Sequence, residues 1–141
     1  MSDSMQTPKS TPIPEGEPVL RAIAMPADTN PNGDIFGGWL LAQMDLAGGS
    51  LASQRSKGRV ATVAINAMTF HLPVHVGDEV SCYCRIERIG RTSITIAVET
   101  WTRAREASHR VKVTQGVFTY VAIDLDRRPR PVDDETEGVR A

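Results

Sequence analysis

The segment from Gly38 to Ser53 limits the folds open to this chain more than any other stretch. Apolar residues recur there at helical spacing, and further apolar residues occupy the remaining faces of the same helix. They are Leu40, Met44, Ala47 and Leu51 at the helical spacing, with Leu41, Ala42 and Leu46 on the other faces. A helix that is apolar nearly all round is buried. The sequence therefore predicts one buried helix over residues 38–53.

The residues after this helix follow the two-residue period of β-strands. Residues 60–70 are rich in β-branched side chains, and residues 80–86, 94–98 and 111–123 alternate apolar and polar positions. A further strand is predicted before the helix, at 19–25, where Pro26 ends it. No helix separates the later strands, which excludes a doubly wound parallel sheet. The predicted fold is α+β: an antiparallel β-sheet wrapped around one long central α-helix, covering both of its faces.

The length of 141 residues corresponds to one domain. Both ends of the chain are polar and rich in proline. We expect a flexible N-terminal arm over residues 1–17, a folded domain over 18–125 and a flexible C-terminal tail over 126–141.

Charge and hydropathy narrow the class of protein. The 16 Lys and Arg residues against 17 Asp and Glu residues give a formal net charge of −1, which argues against nucleic-acid binding. No stretch reaches the ~18–20 apolar residues of a membrane span, and residues 1–18 lack the apolar run of a secretory signal. Cys82 and Cys84 point to the same face of one strand and are poorly placed for a mutual disulfide. We expect a cytoplasmic protein.

Asp45 is the polar residue that says most about function, because it interrupts the apolar helix between Met44 and Leu46. Burying an unpaired carboxylate is costly, or else the group takes up a proton. Asp45 is therefore either hydrogen-bonded and inert at a subunit edge, or it does chemistry. Gly37 and Gly38 at the predicted helix start offer backbone N–H groups to developing negative charge, although two glycines also simply permit a tight turn.

The loop before the helix adds two amides, Asn30 and Asn32, which can hold a water or a carbonyl; Asn32, followed by Gly33, also fits an ordinary turn. Residues 24–39 read AMPADTNPNGDIFGGW and are followed by Gln43-Met44-Asp45 in the helix. Residues 70–78 read FHLPVHVGD, and residues 90–93 read GRTS. Together these strings resemble the hotdog-fold acyl-CoA thioesterases of the YciA type, over residues 19–123.

The resemblance implies a hotdog fold and homodimers whose sheets join edge to edge, often assembled further into trimers of dimers. It implies active sites at the dimer interface, where the catalytic Asp45 of one subunit meets Asn30 of the other. Amides near Gly37 and Gly38 would bind the oxygen of the thioester.

The chemistry of a thioester agrees with this assignment, because its hydrolysis needs little beyond an aimed water and an oxyanion site. Asp45 can act as general base on that water or attack directly to form an anhydride, and the sequence leaves both open. We expect no cofactor, since coenzyme A is part of substrate and product. His71, His75 and His109 lack the spacing of a metal site.

Coenzyme A carries several phosphate charges, so cations should surround its binding site. Either the basic residues after the helix or those around Gly90 can supply them, although for any single one of these residues a solvated charged edge is the more ordinary explanation. The residues selected for coenzyme A binding are Arg59, Arg91, Thr92 and Ser93.

Two alternative functions fit the sequence less well. A hotdog hydratase or dehydratase acting on acyl-CoA would pair an Asp with a His, and no His lies near the helix or its preceding loop in the sequence. A non-catalytic acyl-CoA-binding sensor would carry an output module, for which 141 residues leave no room.

Overall fold

The computed structural model describes residues 12–133, which form five strands and one long helix. In chain order these are β1 (Leu20–Ile23), α1 (Gly37–Ser56), β2 (Val60–Phe70), β3 (Glu79–Ile89), β4 (Ser93–Arg103) and β5 (Val111–Ala122). One turn of 3-10 helix, Pro26–Asp28, lies between β1 and α1. The strands pair antiparallel throughout, in the order β1-β3-β4-β5-β2. The predicted α+β architecture is confirmed.

Helix α1 extends three residues beyond the predicted end at Ser53. Lys57 takes a left-handed conformation with φ of 59°, and the N–H groups of Lys57 and Gly58 both donate to the carbonyl of Ser53. A left-handed residue that turns its N–H back onto the last turn ends a helix. Lys57 is the residue that does so here.

One face of α1 packs on the sheet and forms the core with it. The fully buried side chains include Met44 and Ala47 from the helix and Ile96 and Phe118 from the sheet. The opposite face of the helix is uncovered, since Leu46 is 61% exposed. The prediction that the sheet buries the helix on both faces is therefore wrong for the single chain, because five strands of this curvature cover one side only.

Residues 126–133, which the sequence places in the tail, pack against the domain. Ile123 and Pro129 form an isolated β-bridge, the N–H of Val132 donates to the carbonyl of Arg91 at 2.8 Å, and Val132 is 5% exposed in the core. The packed domain thus reaches past the predicted boundary at residue 125, because a single apolar residue within a polar run finds a place in the core. Residues 1–11 and 134–141 of the predicted arm and tail lie outside the described residues.

Cys82 and Cys84 are free thiols. Burial raises the pKa of Cys82 to about 11 and that of Cys84 to about 12, so both stay protonated at neutral pH. Over residues 12–133, no helix is both long enough and apolar enough to cross a bilayer.

Candidate active site

Asp45 lies on the third turn of α1, half-buried, with two hydroxyl groups on one of its oxygens. Thr62 Oγ1 on β2 donates to Asp45 Oδ1 at 2.8 Å, and the Tyr120 hydroxyl on β5 lies 3.0 Å from the same Oδ1 and 3.1 Å from the Asp45 carbonyl oxygen. No described residue forms a hydrogen bond with Oδ2. One carboxylate oxygen is therefore held and the other is free to act on a ligand.

Two large apolar side chains next in sequence to Asp45 and to its donor Thr62 are exposed. Leu46, the next residue of the helix, is 61% exposed, and Val63, which follows Thr62 on edge strand β2, is 57% exposed. Both elements joined by the Thr62–Asp45 hydrogen bond therefore present apolar side chains to solvent.

The N-terminus of α1 presents free backbone donors. The helix begins at Gly37 with no side-chain cap, and the N–H groups of Trp39 and Leu40 turn back to the carbonyl of Phe36. The N–H groups of Gly37 and Gly38 find no acceptor among residues 12–133. Nothing lies within 4 Å of a Cβ placed on Gly38. These two amides can donate to a negatively charged oxygen, and their role in catalysis stays a prediction.

A cavity of about 310 Å³ lies beside Gly37. Its lining comes from the helix start and from the end of β2 with the loop after it: Ile35, Phe36, Gly37, Leu40, Phe70, His71, Leu72, Pro73 and Val74. His71 therefore lies beside the helix start, and the expectation that no His lies near it is wrong in three dimensions. Its Nε2 is buried without a hydrogen-bond partner in the described part of the chain. This proximity is not visible in the sequence, because His71 follows Gly37 by more than thirty residues and only the fold brings the end of β2 to the helix start.

Asn30 closes the loop before the helix with its own side chain. Its Oδ1 accepts the N–H groups of Asn32 at 2.9 Å and Asp34 at 3.1 Å, and its N–H donates to the carbonyl of Asp34. The sequence predicted an amide that can hold a water or a carbonyl. Since Oδ1 is occupied, Asn30 offers its Nδ2 as a donor.

The predicted catalytic residues do not meet within one chain. Gly37 and Asp45 lie eight residues apart on one helix, which is about 12 Å along its axis. A reacting carbonyl must lie about 3 Å from both its oxyanion donors and its attacking group. Within a single chain, Asp45 and the Gly37 amide are therefore too far apart to act on the same carbonyl.

The residues selected for coenzyme A binding gather at one end of the sheet. The carbonyl of Arg59 accepts the N–H of Ile123 at 2.9 Å, and the carbonyl of Thr92 accepts the N–H of Ala122 at 2.8 Å. Arg91 occupies the adjoining turn and Ser93 begins β4. The backbone thus brings Arg59 and residues 91–93 to the same end of β5, with both arginines exposed. Their role in binding coenzyme A stays a prediction.

Thr62 and Tyr120 are the site residues that sequence reasoning missed. Thr62 carried no signal, since one threonine in a strand is ordinary. Tyr120 did carry one: it shares the inward alternation of β5 with Phe118 and Ala122, and a buried tyrosine hydroxyl needs a partner. That partner is Asp45.

The model of the thioesterase superfamily matches residues 32–108 of this chain. The acyl-CoA thioester hydrolase YciA of Salmonella typhimurium is 52% identical over 122 residues, which cover 84% of this chain and 92% of that protein.

Three solved structures share the fold. A hexameric thioesterase of Yersinia pestis superposes with a TM-score of 0.82 at 51% identity, covering 86% of this chain and 99% of that one. HI0827, a hexameric broad-specificity acyl-coenzyme A thioesterase, gives 0.83 at 44% identity, covering 96% and 95%. A hexameric hotdog-fold thioesterase of Campylobacter jejuni gives 0.79 at 39% identity, covering 88% and 96%. The chain therefore belongs to the thioesterase superfamily and has its hotdog fold, with YciA among its relatives.

Proposed function

We propose that this protein hydrolyses the thioester of fatty acyl-CoA to a free fatty acid and coenzyme A. The observation that carries the proposal is the geometry of Asp45, a helix carboxylate with Oδ1 held by two hydroxyls and Oδ2 free. The relatives named above are acyl-CoA thioester hydrolases, which supports the same reaction here.

Oδ2 of Asp45 is the reacting atom in either route. As general base it takes a proton from a water whose oxygen bonds to the acyl carbon, while the C–S bond breaks and the thiolate leaves to be protonated. As nucleophile it bonds to the acyl carbon itself while the C–S bond breaks and the thiolate leaves to be protonated, and water then cleaves the resulting anhydride to the fatty acid and the free carboxylate. Both routes place negative charge on the thioester oxygen, which the amides of Gly37 and Gly38 are proposed to bind. No cofactor is needed in either route.

The complete site is proposed to form between two subunits. In one chain Asp45 and Gly37 are about 12 Å apart. Strand β2 is eleven residues long, lies at the sheet edge and exposes Val63, so it can pair with a second copy of itself. Such a dimer brings Asp45 of one subunit to Asn30 and the helix start of the other. The hexameric relatives support a trimer of these dimers.

Coenzyme A is proposed to place its phosphates at the end of β5. Arg59 and Arg91 supply charge there, and Thr92 and Ser93 supply hydroxyl donors. Action in the cytoplasm belongs to the same proposal, because acyl-CoA is an intracellular metabolite.

The test measures release of free thiol from acyl-CoA across a panel of chain lengths. Asp45→Asn keeps the shape of the side chain and removes its basicity, so we expect kcat to fall about 10²–10⁴-fold. Coenzyme A binding and the oligomeric state should not change. Hydrolysis by Asp45→Asn at the wild-type rate would refute the catalytic assignment.

A subunit-mixing experiment tests the shared site. Asn30→Ala and Asp45→Asn are each expected to be slow alone. Mixed dimers regain part of the activity, because one of their two sites has both native residues. Absence of any recovery, with mixing verified by mass spectrometry, would place the whole site within one subunit.

His71 gives the hydratase alternative a specific observation, since it lines the cavity beside Gly37 and its buried Nε2 has no hydrogen-bond partner among the described residues. Hydration of a 2-enoyl-CoA is followed by loss of the conjugated absorbance. We expect no hydration by the wild type, and wild-type thioester hydrolysis by His71→Leu. The reverse pair of results would favour a hydratase.

A further inference from the structure

Gly48, in the middle of α1, makes room for the side chain of Tyr120. A Cβ placed on Gly48 would collide with the Tyr120 hydroxyl and lie 3.1 Å from Cε1 and Cζ of its ring, whereas one placed on Gly49 would lie 3.6 Å from Cε2, an ordinary contact. Each glycine inside a helix costs roughly 1 kcal/mol of stability relative to alanine. Glycine at position 48 therefore lets the helix pack closely against the Tyr120 side chain.

The Tyr120 ring is rigidly placed. It is 1% exposed, and Phe118 two residues earlier on β5 stacks against it, with ring centroids 6.3 Å apart and an interplanar angle of 11°. Its hydroxyl emerges at Asp45, 3.0 Å from Oδ1. Thr62, the other donor to Oδ1, lies exposed on an edge strand. Of the two donors, Tyr120 is the one fixed by the core.

The hydroxyl stays a donor at any pH used for assay. Burial raises the pKa of Tyr120 well above its usual range, and the negative charge of Asp45 and the hydrogen bond to it raise it further. Tyr120 therefore keeps its proton and cannot itself serve as a base at neutral pH.

We infer that Tyr120 is a positioning residue for Asp45. The missing side chain of Gly48 leaves the space through which the Tyr120 hydroxyl reaches the carboxylate. By holding Oδ1 from the core side, Tyr120 fixes the side-chain torsions of Asp45 and so directs Oδ2 toward the thioester. The inference rests on the proposed function, because it assumes that Oδ2 is the reacting atom.

Tyr120→Phe removes the hydroxyl and keeps the ring. We expect kcat to fall about 10–100-fold, since a misplacement of about 1 Å at a reacting group costs this much. KM should stay within about twofold, because a ring buried beneath the helix does not touch substrate. Tyr83→Phe is the matched control: Tyr83 is 8% exposed, lies on the opposite face of the sheet and forms no hydrogen bond through its side chain with a described residue. It should keep wild-type kcat.

Gly48→Ala fills the space that Gly48 leaves and does not remove the Tyr120 hydroxyl. This variant also keeps the inference testable if Tyr120→Phe fails to fold. It should lower kcat by displacing the ring from Asp45. In the double variant the loss should be close to that of Tyr120→Phe alone, because the atom displaced is already absent. If the reductions in kcat of the two single variants multiply in the double variant, the role assigned to Gly48 is wrong.

The outcomes separate this inference from the proposed function. If Tyr120→Phe keeps kcat within twofold while Asp45→Asn is inactive, the positioning role is wrong and the proposed function stands. If Tyr120→Phe raises KM as much as it lowers kcat, its role is general structure and the inference is also wrong. If Asp45→Asn is fully active, the proposed function fails first.

Discussion

Arg130 offers a test of whether the segment after β5 belongs to the folded domain. Its guanidinium donates to the carbonyl of Ser56 at 3.2 Å, to Ser56 Oγ at 3.3 Å, to the carbonyl of Ile123 at 3.0 Å and to that of Pro131 at 3.2 Å. These bonds join the C-terminal end of α1, the exit of β5 and the last described residues. Arg130 therefore links the end of the helix to the segment that follows β5.

The magnitude follows from the four hydrogen bonds. Arg130→Met keeps the aliphatic part of the side chain and removes all four donors. The donor–acceptor distances are at the long end of the usual range, so about 0.5–1 kcal/mol for each bond is appropriate, which gives a loss of about 2–4 kcal/mol in the free energy of unfolding. For a domain of this size that corresponds to a drop in Tm of roughly 6–15 °C.

The assay is urea denaturation followed by circular dichroism, at one protein concentration because oligomers have concentration-dependent stability. Arg128→Met is the control, since Arg128 is exposed on the same turn and its side chain forms no hydrogen bond with a described residue. We expect the control within about 0.5 kcal/mol of wild type. If Arg130→Met unfolds at the same urea concentration as the control, residues 126–133 do not contribute to the fold as argued.

Two further perturbations test the site and the charge network. Thr62→Val removes the second donor to Asp45, the proposed catalytic residue, so steady-state kinetics should show a lower kcat with KM unchanged. Thr62→Ser, which keeps the hydroxyl, should retain activity, and equal losses in both variants would contradict a role for that hydrogen bond. Glu79 has a lowered pKa, because its bonds to Arg110 and Arg103 outweigh the opposing effect of burial. A carboxylate with a depressed folded-state pKa contributes stability above its unfolded pKa and loses it as the pH falls through the folded value. Glu79→Gln should therefore destabilise the protein by roughly 1 kcal/mol at pH 7 and by nothing well below the carboxyl range; a penalty that does not change with pH would show that packing, not charge, accounts for the effect.

The elements could be derived from the sequence because hydrophobic periodicity is a local property. The two-residue alternation around Cys82 and Cys84 places the inward face of β3 without knowledge of its partner, and the apolar spacing around Met44 does the same for α1. The ends of the strands and of the helix were predicted less accurately, since an end can depend on the backbone conformation of a single residue, such as the left-handed Lys57.

Asp45 could also be identified from the sequence as a candidate site residue, because a charged residue inside an apolar helix is unusual whatever surrounds it. The hydrogen-bond partners of Asp45 could not be identified from the sequence. Tyr120 lies 75 residues further along the chain and reaches Asp45 only because β5 packs against α1. The same holds for His71 at the helix start and for Val132 in the core. Local pattern fixes which face of an element is apolar, whereas the register and curvature of the sheet decide which particular atoms meet across it.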